Sequence, residues 1–269
     1  MRKTWRTPRV VRPNFAKKHR EVCPATRFFD QLSFIGDEVV GCFVLETSQG
    51  LVMLDCMDPD QRSIDIIEQG FRDLGLDIRD LSAIVLTHGH GDHYGRADYF
   101  KEKYGAKLYL SEIDYNLAKT PCDWTPWPEI DLPVDHFLQD REDLVFGDTT
   151  IHAVFTPGHT MGCFSFIVPV TDEGRPHHMG MWGGSSLIQG SDAHAYLESW
   201  KKFDAICRDY HVDGEISAHT SYDMGIQRLQ LVRQIVDGVP NPFVLGEEGY
   251  HYYHRRFYHM AEQVLRTEK

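Results

Sequence analysis

The sequence predicts an α/β protein in which two β-sheets lie face to face with helices on their outer faces. Short β-rich runs separated by turn signals fill two stretches of the chain, and helical periodicity follows each stretch. No long linker, repeat or low-complexity tract separates the two stretches in the 269 residues, so both sheets belong to one layered body. A third observation locates its business end: the apolar run Ala83-Ile84-Val85-Leu86 stops abruptly at Thr87-His88-Gly89-His90-Gly91-Asp92-His93.

The chain opens on a basic arm, 1–22. Its first 20 residues hold eight Arg or Lys side chains and no acid, which leaves −20 on the rest of a chain of net charge −12. The arm is either a solvated tail or a segment that docks on the acidic body or on a neighbouring subunit. The overall acidity argues against nucleic acid and against an anionic membrane surface as partners. No apolar segment follows the basic start, and no run is long enough to span a membrane, so a cytoplasmic protein is expected. The six cysteines form no CxxC pair, and a disulfide framework is not expected. Cys42 and Cys163 sit in strand-like runs and read as buried thiols.

In order, Gln31–Gly36, Val39–Leu45 and Leu51–Asp55 read as strands of an antiparallel meander. Asp55 ends the third and either faces a site or caps a turn. Apolar residues at 64, 66, 67, 71 and 74 predict a helix capped by Ser63 and stopped at Gly75. A strand over 81–86 leads into the histidine loop. A helix over 95–104, a strand over 107–110 and a short helix capped by Ser111 follow.

Residues 119–136 carry four prolines with Trp124 and Trp127, and form either a self-packed surface loop or a wall of a binding pocket. Strands resume at 144–146 and 150–155, ending on Thr156-Pro157-Gly158-His159-Thr160. Further strands cover 163–170 and 179–182, ending on Gly183-Gly184-Ser185-Ser186. Helix 193–208, strand 214–220 ending on His219, and helices near 226–237 and 247–267 complete the chain. The aromatic residues of the last helix, in segment 246–269, serve either packing on the body or a dimer contact.

The histidines therefore sit at separate strand ends. A spacing of two along extended backbone puts His88 and His90 on one side, where they share a metal with His159. Three imidazoles with an open position suit a catalytic zinc site. Asp92 and His93 point to the other flank and, with His219, frame a second site. Nitrogen and carboxylate ligands favour zinc, two ions per chain, with iron or manganese not excluded. Such ions generate hydroxide near neutral pH, and Asp92 is placed to orient the nucleophile and take its proton.

The motif His88-x-His90-x-Asp92-His93, with Pro157-Gly158-His159-Thr160 and Ala218-His219, resembles that of the metallo-β-lactamase-fold hydrolases over roughly residues 27–245. The resemblance implies an αββα four-layer sandwich, with a catalytic domain over 23–245 and a dinuclear zinc site between the sheets. It also places Asp55 at the family's strand-end aspartate, next to the ligands. Most family members carry a metal-bridging aspartate where this chain has Ser185. That departure is similar to the subclass B3 β-lactamases, and it implies that Ser185 or Ser186 contacts a substrate carboxylate.

The expected function is therefore a B3-like zinc hydrolase. Metal-bound hydroxide would attack the amide, lactam or ester carbonyl of a small carboxylated molecule, with Trp124 and Trp127 lining the pocket. A lactonase or thioesterase of the same fold ranks below it, because those usually carry the bridging acid. A mononuclear iron dioxygenase is the redox alternative; a diiron oxygen reductase fits less well, since it places Glu where this chain has His90. Nucleic-acid processing is disfavoured by charge.

Overall fold

The computed structural model describes residues 20–120, 131–234 and 238–267. Trp124 and Trp127, and most of the basic arm, lie outside the described residues. Seven strands form the first sheet in sequence order: β1 (Val22–Arg27), β2 (Leu32–Asp37), β3 (Gly41–Thr47), β4 (Gly50–Leu54), β5 (Leu81–Val85), β6 (Lys107–Leu110) and β7 (His136–Phe137). β1 to β4 pair antiparallel as a meander, and β4 to β7 pair parallel through helical crossovers. The second sheet holds β8 (Glu142–Phe146), β9 (Thr149–Phe155), β10 (Phe164–Asp172), β11 (Arg175–Met181) and β12 (Gly214–Ile216), in the order β12-β11-β10-β9-β8. Only its β11–β12 pair is parallel. Helices are α1 (Gln61–Asp73), α2 (Gly91–Tyr94), α3 (Ala97–Tyr104), α4 (Glu112–Ala118), α5 (Ala193–Asp209), α6 (Gly225–Val232) and α7 (Glu247–Thr267).

Strand alternation builds three apolar layers from this order. Phe34, Phe43, Val52, Leu54 and Val85 face Phe164, Phe166, Val168 and Met181 across the gap between the sheets. Their neighbours Ile35, Cys42, Val44, Met53 and Ile84 point outward onto Ile64, Ile67 and Phe71 of α1. Val154 and Ile167 of the second sheet point outward onto Tyr196 and Phe203 of α5 and onto Tyr250 and Phe257 of α7. Both faces of the central strands are thus covered, which is the αββα sandwich expected from the sequence. Cys42 and Cys163 are buried thiols. No helix among the described residues is long and apolar enough to cross a membrane.

Several local expectations shift. Helix α1 is capped by Asp60, whose carboxylate accepts from Ser63 N at 2.8 Å, and not by Ser63, which is buried inside the first turn. An aspartate three residues before a backbone N–H reaches it as well as serine does. Gly75 does follow the helix, at φ 70°. Val39 and Val40 lie outside β3, because Asp37 Oδ1 accepts from both of their N–H groups and turns the chain. β12 stops at Ile216, since Ser217 N donates to Asp223. β1 contains Pro24, which suits an edge strand and hides the strand from a propensity reading. Arg20 pairs with Asp58 at 2.5 Å, so the end of the basic segment docks on the acidic body.

Candidate metal centre

Every expected site residue that the structure describes lies at the C-terminal end of a strand. Asp55 follows β4, the 88–93 run follows β5, His159 follows β9, Ser185 follows β11 and His219 follows β12. The two sheets are stitched together beside them. Phe164 N donates to Thr87 O at 2.8 Å, and Gly41 N donates to Ala218 O at 2.9 Å.

Five histidines and one aspartate form two groups, each with ligand atoms within 4.8 Å of one another: His88, His90 and His159, and Asp92, His93 and His219. Among the described residues none belongs to both groups, so no described carboxylate is shared between them. In the first group His159 Nε2 lies 3.1 Å from His88 Nε2 and 3.0 Å from His90 Nδ1. In the second, His93 Nε2 lies 3.1 Å from His219 Nε2, and Asp92 Oδ2 lies 3.5 Å from the same His219 atom.

The tautomers follow from what each far nitrogen touches. A backbone carbonyl only accepts, so His159 Nδ1–H donates to Ser186 O at 2.6 Å and His219 Nδ1–H donates to Val39 O at 3.3 Å. His93 Nδ1–H donates to Asp55 Oδ2 at 2.7 Å. The Thr87 hydroxyl gives its one proton to Asp55, at 2.9 Å, and so accepts from His88 Nδ1–H at 3.0 Å. In its neutral form each of these four rings therefore carries a lone pair on Nε2. In the first group two such lone pairs, on rings that burial keeps neutral, face each other across 3.1 Å. In the second, His93, whose charged form Asp55 and Asp92 favour, has a proton on Nε2 to donate to His219 when no metal is bound. The arrangement of the first group is repulsive unless a cation sits between the two nitrogens. Two nitrogens on one tetrahedral zinc lie roughly 3.3 Å apart. The spacing and the donor set therefore both fit a metal ion in each group.

The electrostatics agree for four of the five histidines. Burial, then the neighbouring imidazoles, pushes His88 and His90 well below the usual histidine range. Burial brings His159 and His219 down to about 3. Neutral imidazole is the form that binds a metal. For His93 burial opposes the charged form, but Asp55 and Asp92 outweigh it and raise the pKa. Asp92 is buried, burial raises its pKa, and its Oδ1 has no hydrogen-bond partner among the described residues. A buried carboxylate oxygen without a donor is costly unless a cation compensates it.

The remaining expectations divide. Asp55 is fully buried and accepts from Thr87 N, Thr87 Oγ1 and His93 Nδ1. It thus faces the histidines and also pins the turn after β5. Ser185 is buried against Ser217, with 3.3 Å between their hydroxyls, while Ser186 is half-buried and offers its carbonyl to His159. Sequence reasoning missed Thr87 and Asp114. Asp114 accepts from Gly89 N and Thr160 Oγ1, and burial raises its pKa to about 6. In the sequence it is one more acid in the first turn of a helix, where acids are ordinary.

Two clusters of nitrogen donors at the strand ends of an αββα sandwich define a class of metal-site proteins. Residues 35–172 match the metallo-beta-lactamase superfamily, and the chain belongs to that superfamily. It is 32% identical over 117 residues to a probable metallo-hydrolase of Bacillus subtilis, covering 40% of this chain and 56% of that protein. It is 34% identical over 122 residues to an N-acyl homoserine lactonase of Agrobacterium fabrum, covering 42% and 43%. The chain thus spans about half the length of these curated relatives. In fold it is similar to the subclass B3 metallo-beta-lactamase BJP-1 of Bradyrhizobium japonicum. The TM-score is 0.79 at 23% identity, over 94% of this chain and 97% of that one.

Proposed function

We propose that the protein is a dinuclear zinc hydrolase of B3-like type, opening the amide, lactam or ester bond of a small carboxylated molecule. The observation that carries this reading is the opposed Nε2 lone pairs of His88 and His159, beside a second three-ligand group that, among the described residues, shares no member with the first. In this reading His88, His90 and His159 hold one ion, and Asp92, His93 and His219 hold the other. When bound, the ions supply hydroxide at neutral pH and stabilise an oxyanion.

The protein's own part is to fix geometry and protons. Ser186 O, Val39 O, Asp55 and Thr87 lock four rings in the tautomer that presents Nε2. Asp92, through its otherwise unpartnered Oδ1, receives the proton released from the nucleophile. Ser185 or Ser186, the latter the more accessible, contacts the substrate carboxylate. The acidic body makes nucleic acid an unsuitable substrate.

A second reading, lactone hydrolysis, draws on the likeness to the A. fabrum lactonase. The absence of a carboxylate common to both groups among the described residues ranks it lower. The test is a panel of lactams, lactones and thioesters assayed with zinc-loaded protein, beside metal analysis of wild type and His88→Ala. The expected result is two zinc ions per chain, turnover of a lactam or linear amide, and joint loss of zinc and activity in His88→Ala. Full activity in zinc-free protein would overturn the proposal.

A further inference from the structure

We propose that Asp114 is a positioning residue of the first metal group, tying its two ligand-bearing turns to each other. The inference rests on the reading of His88, His90 and His159 as ligands of one ion. Asp114 sits on α4, touches none of these rings and is fully buried. Its Oδ2 accepts from Gly89 N at 2.8 Å and from Thr160 Oγ1 at 2.6 Å, and its Oδ1 accepts from Gly162 N at 2.9 Å.

Gly89 lies between His88 and His90, and Thr160 directly follows His159. One carboxylate therefore holds, by three hydrogen bonds, two loops separated by 71 residues between His88 and His159. Both contact glycines are required by this closeness. A Cβ on Gly89 would stand 2.4 Å from Asp114 O, and one on Gly162 would stand 2.4 Å from Asp114 Oδ1.

An ordinary helix-capping role does not explain the residue. Ser111 already caps α4 by accepting from Asp114 N, and an acid serving only the helix dipole stays in solvent. A carboxylate is suited to the position because every neighbour is a donor. Asparagine keeps the shape and one acceptor oxygen, but its NH2 must face either Gly162 N–H or the Gly89 and Thr160 donors. The His88–His90 turn and the His159 turn would then move apart by tenths of an ångström, and three nitrogens must stay close together to share an ion.

The test measures zinc affinity by competition with a chelator, and absorption of the cobalt-substituted protein, for wild type, Asp114→Asn and Thr160→Val. Thr160→Val removes one of the three bonds and leaves the carboxylate in place. Asp114→Asn is expected to weaken one zinc equivalent by about tenfold or more. It should also alter the cobalt ligand-field bands and lower kcat with little change in KM on any substrate found. Thr160→Val should do the same to a smaller extent. If both variants take up zinc with wild-type affinity and keep the wild-type cobalt spectrum, whatever their melting temperatures, Asp114 is merely structural and the proposal is wrong. Wild-type protein that took up no metal would instead overturn the reading of the site beneath it.

Discussion

The Asp55 carboxylate accepts the Nδ1 hydrogen of His93 at 2.7 Å while its other oxygen accepts from Thr87 N at 2.8 Å. One buried acid thus fixes both the turn after β5 and the tautomer of a candidate ligand. Asp55 itself has φ 60°, a left-handed conformation that asparagine shares easily. Asp55→Asn is therefore a test of the charge with little backbone effect. It should weaken the second zinc equivalent by about 10–100-fold, as loss of a ligand's outer partner typically does. Zinc titration against a chelator checks it, and unchanged affinity would remove Asp55 from the site.

The 88–93 run is legible in the sequence because its four polar side chains fall within six residues, where no core needs them. His159 and His219 are legible because each ends an apolar run. What holds those rings is not legible. Val39 O and Ser186 O are backbone acceptors, which carry no residue-type signal, and only the sheet register brings them to the rings. Asp114 and Thr87 look like a helix-turn acid and a strand-end threonine until the loops from β5 and β9 converge. β1 escaped notice for a local reason, since Pro24 interrupts its pattern and only an edge position tolerates it.

Gly158 connects the His159 turn to α5. Its φ is 140°, and a Cβ there would lie 2.4 Å from the backbone of Tyr196. Gly158→Ala must therefore either strain the backbone or push the turn off the helix. A loss of about 2–4 kcal/mol in urea unfolding is expected, together with lower zinc retention. Wild-type stability in this variant would show that the turn relaxes freely.

Asp223 gives a pH signature. It is buried, it accepts from Ser217 N and Gly225 N, and burial raises its pKa to about 7 against the opposing charge of Arg228. In the unfolded chain it ionises near 3.8. The folded state thus holds a proton that the unfolded state has lost between those values. Its contribution is fully present below the unfolded pKa and disappears as pH rises through about 7. Asp223→Asn lacks this dependence. The stability of wild type relative to the variant should therefore fall by about 1.4 kcal/mol per pH unit between pH 4 and 7. Urea titrations of both proteins in chelator check it, and a flat difference would mean that Asp223 stays ionised.

The last helix is tied to β12, the strand that leads to His219, through Glu215, which faces Arg256 and, at 3.5 Å, His254 Nδ1. Glu215 on β12 is 1% exposed, and its Oε2 lies 2.7 Å from Arg256 Nη1 on α7. Burial opposes the Glu215 charge, but Arg256 outweighs it and brings the pKa down to about 2. The two partners are not equivalent, since Arg256 also donates to Tyr253 O and stacks on Tyr253 and Phe257. Arg256→Met strands a buried carboxylate and should destabilise the protein by about 3–5 kcal/mol at pH 7. Glu215→Gln leaves a cation that keeps its hydrogen bond to Tyr253 O and its stacking, with an amide oxygen still able to accept from it, and should cost less. The double variant removes both charges and should be more stable than the sum of the single losses predicts. The Arg256→Met penalty should also shrink as pH falls, because Glu215 deprived of its partner takes up a proton. A double-mutant cycle at pH 7 measures the coupling; equal single losses that simply add would mean that packing, and not the ion pair, joins α7 to β12.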